Sequence, residues 1–382
     1  MNITRLRLKN WRNFTDIEIE IGNRLYVIGP NAVGKSNLLD AFRFLRDIAK
    51  PGSGGLEDAV TRRGGIGSIR SLSARSNPRI FFELEFLDDS DGEKWNYLLE
   101  IGQQTSGKRA PIVHKEVVKQ GNKTILIRPH VADKDDPRQL TQTHLEQVGY
   151  NKQFRAIQES LAKIQYMHVV PQMLRFSEEL AARRVTDDPF GQGLLEQIAD
   201  TNEKTRASRL KRLQKVLHAC VPQLEELKFL RDNKNGRPHL EAKYKHWRPN
   251  GAYQRENLFS DGTLRLLGLA WSLMDGDGLL LLEEPEISLN NAIVSAIPRL
   301  LRNVQRETKR VRQIMITTHS ESLLSDSQIG LDEVIRLEPT ENGTKVAVQS
   351  KDDEKLIKAG ASIGETLLPK TRPNIGQIPL FD

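Results

Sequence analysis

The 382-residue sequence predicts an α/β fold: a mixed and parallel sheet flanked by helices, with an inserted strand-plus-helical subdomain. Three observations carry that prediction. The last third alternates short apolar strands with helical stretches: Leu279–Leu282, a helix after Leu289, Ile314–Thr317 and Val334–Leu337. Such alternation makes a parallel sheet whose crossover helices cover its faces. Near the N-terminus an apolar strand, Leu25–Ile28, runs into a glycine-bearing loop that opens a helix. Between these parts, from Pro51 to Leu258, the chain adds strands and helices of its own.

In chain order, Ile3, Leu6 and Leu8 lead into Trp11, and Ile17, Ile19 and Ile21 alternate with acidic residues, the period-two pattern of a half-buried strand. After the loop, Leu38, Leu39, Phe42 and Leu45 form an apolar stripe on a helix from about Gly34 to Arg46. Pro51–Pro78 is rich in Gly, Ser and Arg and reads as loop. Four strand-like stretches follow: Ile80–Phe86, Trp95–Ile101, Val113–Gln120 and Thr124–Arg128. A mostly helical region, about Arg138–Val221, is interrupted by the strand-like Tyr166–Val170. Leu227–Arg231 and Leu240–His246 are two further strands, ahead of a helix that starts near Asp261. The expected division is an N-terminal lobe, 1–137; a helical insertion, 138–223, as the lobe for a DNA or protein partner; a C-terminal lobe, 224–350; and a tail, 351–382. The closing PNIGQIPLFD is either a flexible end or a short docking strand.

Composition narrows the function classes. Hydrophobic residues at 38% and charged residues at 28% describe a globular chain able to bury a core, not a disordered one. The single cysteine, Cys220, excludes a disulfide framework or a cysteine-based zinc site within one chain and reads as a packed thiol. Apolar runs such as Leu279–Leu282 fall far short of the roughly 20 residues of a membrane helix. The opening MNITRLRLKNW lacks the apolar stretch of a signal peptide, so the expectation is a cytoplasmic protein with no membrane partner. A net charge of +7 suits a nucleic-acid partner without requiring one.

Chemistry is concentrated in four short stretches. GPNAVGKS comprises Gly29, Pro30, Asn31, Ala32, Val33, Gly34, Lys35 and Ser36, followed by Asn37, and matches the G-x-x-x-x-G-K-[ST] phosphate loop in its required strand-loop-helix context. Glycines let successive backbone N–H groups converge on phosphate oxygens, and the helix N-terminus adds partial positive charge. Lys35 supplies a full charge to the β- and γ-phosphates of ATP, and Ser36 offers a hydroxyl to Mg²⁺. LLLLEEPE, Leu279–Glu286, is a buried strand that delivers two carboxylates to its C-terminal end, the ligand-bearing edge of an open α/β sheet. Glu283 is the candidate to hold Mg²⁺ through water, and Glu284 the candidate base for an attacking water. IMITTH, Ile314–His319, ends a second apolar strand in polar residues, where His319 can sense a γ-phosphate. Ser260, Asp261, Gly262 and Thr263 start a helix, either as an ordinary N-cap or as a small anion site.

The order of these motifs, GPNAVGKS, SDGT, LLLLEEPEISLN and ITTHS, resembles that of ABC-type ATPases, and within them the RecF, SMC and OLD branch. It is most similar to the stand-alone ATPases of bacterial anti-phage defence operons. The opening ITRLRLKNWRNF, the segment RRGGIGSIRS at Arg62–Ser71 and VVPQMLR at Val169–Arg175 are similar to segments of the same ATPases. The resemblance implies that Arg12 and Asn13 lie near the nucleotide. It implies that Ser260 and Gly262 act as the signature, touching the γ-phosphate held by a second copy in a head-to-tail dimer. Ser288–Asn290 would be the dimer-contact loop, with Asn290 in place of a common histidine. Gln172, after a strand-like stretch but far downstream of Ser36, is the candidate for the Mg²⁺-sensing glutamine.

The implied function is ATP hydrolysis whose nucleotide state controls a separately encoded effector, a nuclease, in antiviral defence. A RecF-like repair ATPase is the alternative. A transporter subunit is disfavoured by SDGT and by the large insertion. Nucleic acid would be held through its backbone by Arg206, Arg209, Lys211, Arg212 and Lys215, or by Arg62, Arg63, Arg70 and Arg75; the first set can equally be a solvated helix face. Asp352, Asp353 and Glu354 read as a solvated turn.

Overall fold

The computed structural model describes residues 1–74, 78–104, 109–177, 179, 188–246, 252–307 and 311–372. Arg75 and PNIGQIPLFD lie outside the described residues. In chain order the elements are β1 (Asn2–Trp11), β2 (Phe14–Glu20), β3 (Arg24–Ile28), α1 (Lys35–Ala49), α2 (Gly55–Thr61), α3 (Ile66–Ile69), β4 (Ile80–Leu87), β5 (Lys94–Gln103), β6 (Pro111–Gln120), β7 (Lys123–Arg128), α4 (Val131–Asp135), α5 (Arg155–Ala162), β8 (Gln165–Met167), α6 (Pro171–Arg175), α7 (Leu194–Asp200), α8 (Glu203–Cys220), β9 (Leu224–Arg231), β10 (Pro238–Tyr244), β11 (Ala252–Arg255), α9 (Asp261–Met274), β12 (Leu280–Glu283), α10 (Asn291–Val294), α11 (Ile297–Glu307), β13 (Ile314–Thr317), β14 (Val334–Thr340), β15 (Gly343–Val346), α12 (Lys351–Lys358) and α13 (Ile363–Leu367). They fall into two compact units: Met1–Gln165 with Asp277–Leu281 and Val311–Asp382, and Tyr166–Gly276 with Leu282–Arg310.

The first unit is organised by a sheet whose strands run in the order β7-β6-β5-β4-β1-β2-β15-β14-β3-β13. Its outer half, from β7 to β2, is antiparallel. At its centre β3 is flanked on both sides by parallel partners, β13 and β14. Strands buried on both faces read as continuous apolar runs, and β3 (RLYVI) and β13 (IMIT) do so. Trp11, fully buried, packs its ring on Phe44 of α1 and Phe82 of β4 at 5.1 and 5.3 Å. Its Nε1 donates to the Asn37 carbonyl at 2.8 Å, which ties the end of β1 to the start of α1. Truncating such a side chain costs about 3–5 kcal/mol.

Two expectations are corrected here. Pro51–Pro78 is not all loop: it carries α2 and α3, whose glycines sit at helix starts and turns while Leu56, Ala59, Val60, Ile66 and Ile69 are buried. Asp353 is not part of a solvated turn. It is buried in the first turn of α12, where the Ser350 and Asp353 side chains reciprocally cap the helix start, and it accepts a hydrogen bond from Lys370. A second capping box, Ser362 with Glu365, starts α13.

The second unit packs α6, α7, α8 and α9 with a three-stranded antiparallel sheet, β11-β10-β9. Leu174, Ile198, Leu213, Leu217, Leu240 and Trp271 share its core. Helix α8 buries Leu210, Leu213 and Leu217 and turns Lys211 and Lys215 to solvent. Among the described residues no helix is long and apolar enough to cross a membrane.

Candidate nucleotide-binding site

The first unit assembles the phosphate loop and the histidine that were expected to serve it. Gly29–Ser36 joins β3 to α1, and Gly34 is the α1 N-cap with a left-handed backbone, φ +105°. Only glycine fits there: a Cβ at Gly34 would lie 2.1 Å from the Asn13 amide. Lys35 is buried and its Nζ donates to the carbonyls of Gly29 and Pro30 at 3.0 and 3.1 Å, which places the ammonium at the Gly29–Pro30 end of the loop. The first-turn N–H groups of a helix have no intrahelical acceptor, so α1 starts as an anion-binding end. On the neighbouring strand β13, Thr317 and Thr318 are buried, Thr318 N donates to Val27 O at 3.2 Å, and His319 emerges into solvent. His319, Pro30 and Asn31 line one cleft of about 160 Å³.

Arg12 and Asn13 form the two-residue turn between β1 and β2, with Arg12 at φ +47°. Asn13 is a clamp on the loop. Its Nδ2 donates to Val33 O (2.6 Å) and Thr344 Oγ1 (2.7 Å), and its Oδ1 accepts from Asn37 Nδ2 (2.7 Å). Thr344 Oγ1 also donates to Val33 O. Arg12 pairs with Asp40 of α1 at 2.7 Å, and Arg63 bridges Asp40 and Asp47 at 3.0 and 2.9 Å. Burial alone would raise the Asp40 carboxyl; Arg63 and then Arg12 hold it below its ordinary value. Arg63, expected among the nucleic-acid contacts, is therefore committed inside the unit.

The second unit gathers the carboxylates and the SDGT turn expected to be the signature. Ser260 is the N-cap of α9 and accepts from Thr263 N at 3.2 Å. Asp261 accepts from Gln172 Nε2 at 3.1 Å and from Arg175 Nη2 at 2.7 Å. Gln172, expected to sense Mg²⁺, here braces Asp261 at the start of α9. A Cβ on Gly262 would stand 3.1 Å from the Ser288 carbonyl, so the start of α9 lies tightly on the turn that follows β12. In that turn Glu284 and Ser288 have left-handed backbones, φ +43° and +64°. For residues with side chains such backbones cost of order 1–3 kcal/mol and cluster at functional sites.

Three residues here were not legible as site residues. Tyr166 Oη donates to the Glu283 carboxylate, and the His168 ring meets the Glu283 carbonyl at 3.1 Å. Both stand in a stretch legible only as a strand. Arg265, 5% exposed, sits one helical turn beyond Asp261 with its Nε and Nη1 lacking hydrogen-bond partners. Burial lowers its pKa, while Asp261, Glu286 and Glu284 oppose the shift. It remains a cation, held near the carboxylates without a hydrogen bond to them. On the basic helix α8, Arg206 lies over Phe229 and Arg209 pairs with Asp275, and Lys211, Arg212 and Lys215 are exposed.

The fold and parts of the sequence match known proteins. The family model "AAA domain, putative AbiEii toxin, Type IV TA system" matches residues 26–325. A DNA replication and repair protein RecF of Chlamydia abortus is 46% identical over 46 residues, 12% of each chain. Endonuclease GajA of Bacillus cereus is 40% identical over 47 residues, 12% of this chain and 8% of that one. The matched segments thus span about a tenth of the length of these two relatives. The SMC head bound to the C-winged helix domain of ScpA aligns over 93% of this chain and 100% of that one, with TM-score 0.54 and 12% identity, a likeness of fold. The chain belongs to this AAA-domain family and is an ABC-type ATPase of the RecF, SMC and OLD branch.

Proposed function

We propose that this protein binds and hydrolyses Mg²⁺–ATP as a head-to-tail dimer, and that its nucleotide state controls a separately encoded nuclease in antiviral defence. One observation carries the reading: a glycine-cradled phosphate loop, clamped by Asn13, lies on a strand flanked by the strand that ends in His319. Lys35 and the α1 N-terminus bind the phosphates. Ser36, and Glu283 through water, would hold Mg²⁺, which would supply neutralisation of phosphate charge, and Glu284 would take the proton of the attacking water. Ser260 and Gly262 reach the γ-phosphate of the second copy. Hydrolysis by such a dimer does useful work only if a partner binds its two states with different affinity. The helical region 138–223, with the exposed Lys211, Arg212 and Lys215, is the proposed contact for effector or nucleic-acid backbone.

The similarity to GajA, by name an endonuclease, favours a nuclease-linked role; the similarity to RecF favours the second reading, a DNA repair ATPase. Light scattering with ATP tests the dimer: wild type should associate, and Ser260→Arg should not, while its protomer still binds nucleotide. Phage challenge tests the role. Protection should require the chain together with its neighbouring gene. Full protection by the ATPase alone would refute control of a separate effector, and sensitivity to DNA damage without any phage phenotype would favour repair.

A further inference from the structure

The cleft beside the phosphate loop has a wall that neither the motifs nor the family model, which ends at residue 325, accounts for. Besides Pro30, Asn31 and His319, it is lined by Glu321, Leu368, Thr371 and Arg372. The last three lie beyond β15, in the segment expected to be a tail. Its described part, 351–372, is held firmly. Ile363, Leu367 and Leu368 are buried, and Lys370 reaches the buried Asp353 of α12. A Cβ on Gly364 would meet the Glu321 carbonyl at 2.9 Å, so α13 lies directly on the backbone two residues past His319. Packing therefore sets Arg372 on the cleft, where its Nη2 reaches the Glu321 carboxylate at 3.4 Å.

The cleft stands at a definite end of the loop. Lys35 Nζ rests on the Gly29 and Pro30 carbonyls, and this lysine is the group that meets the β- and γ-phosphates. The Pro30–Asn31 end is thus the terminal-phosphate end, the end His319 shares. An arginine there faces the place where a nucleoside triphosphate carries more negative charge than a diphosphate. Its present partner is replaceable: the Arg372 and Glu321 side chains are 68% and 55% exposed, and exposed ion pairs are weak and screened.

Resting on the nucleotide-site reading above, we propose that Arg372 is a terminal-phosphate contact. It exchanges Glu321 for the γ-phosphate, so that the C-terminal segment distinguishes ATP from ADP. The planar fork of arginine suits a phosphate better than a lysine ammonium does.

Calorimetric titration of the full chain with Mg²⁺ and either AMP-PNP or ADP tests this. Arg372→Gln should weaken AMP-PNP about tenfold, the size expected from removing one charge-assisted hydrogen bond, and leave ADP within about twofold. Arg372→Lys should recover part of the affinity, and Glu321→Gln should leave ADP unchanged and AMP-PNP equal or tighter. Equal weakening for both nucleotides, or none for either, would overturn the proposal while wild-type binding kept the site reading intact. A weakening that grows with protein concentration would assign Arg372 to an interface between copies and also overturn it. Absence of binding by the wild-type chain would remove both readings.

Discussion

The phosphate-loop unit and the signature unit treat their polar groups in opposite ways. In the first, every functional turn is tied to another: Asn13 to Val33, Asn37 and Thr344; Arg12 and Arg63 to Asp40; Arg63 onward to Asp47. Such closed networks stiffen one another and hold a loop in shape before ligand arrives. In the second, the start of α9 is braced by Gln172 and Arg175, yet Arg265 is buried with its Nε and Nη1 donors unpaired. A buried unpaired donor costs about 1–3 kcal/mol. One region is pre-formed for binding. The other keeps a buried, unpaired guanidinium near the proposed base.

The contrast can be broken most severely at the loop. Lys35→Ala should abolish tight ATP binding, since the phosphates lose their fixed cation; unchanged affinity by calorimetry would separate the loop from nucleotide. Next comes the turn. Glu284→Gln should bind ATP normally but hydrolyse it about 10²–10⁴ times more slowly, the usual effect of losing a general base. Turnover within a few-fold of wild type would move that role elsewhere.

Arg265→Met sharpens the comparison at smaller amplitude. Removing unpaired donors should leave the melting temperature unchanged or raise it, because the buried donors lose their penalty of about 1–3 kcal/mol. Phosphate release should fall as Glu284 and Glu286 lose a nearby cation. A drop of several degrees in melting temperature would mean the guanidinium is structural.

The smallest effect is in the first unit, away from the loop. Burial raises Glu146 to about 7, although it accepts from Leu56 N and Thr143 N, and burial lowers His144 to about 4. A raised carboxyl pKa gives stability that is full below its ordinary value and lost as pH rises through about 7. A lowered histidine pKa gives stability that is full above its ordinary value and lost as pH falls toward about 4. The two slopes oppose each other across mildly acidic pH. Glu146→Gln should expose the histidine limb, so that melting temperature climbs with pH there and no longer declines near neutrality. A profile identical to wild type would show that Glu146 is not shifted.

The sequence by itself determined whatever depends on neighbours along the chain. The phosphate loop is eight consecutive residues, so its glycines, Lys35 and Ser36 could be named at once. The apolar strands β3, β12 and β13 announced themselves by composition. The capping boxes at Ser350 and Ser362 are signals of the same local kind. Tertiary structure alone decided pairings between distant residues. Nothing local indicates that Asn13 would clamp Val33, that Tyr166 would reach Glu283, or that Arg372 would line a cleft with Pro30 and His319. Nor does composition tell a solvated arginine from a buried one: Arg62 and Arg63 are adjacent, yet only Arg63 turns inward to Asp40 and Asp47. Motifs survive in one dimension because a few consecutive backbone groups make the contact. Partners, burial and charge state arise only when packing brings separate segments together and excludes water between them.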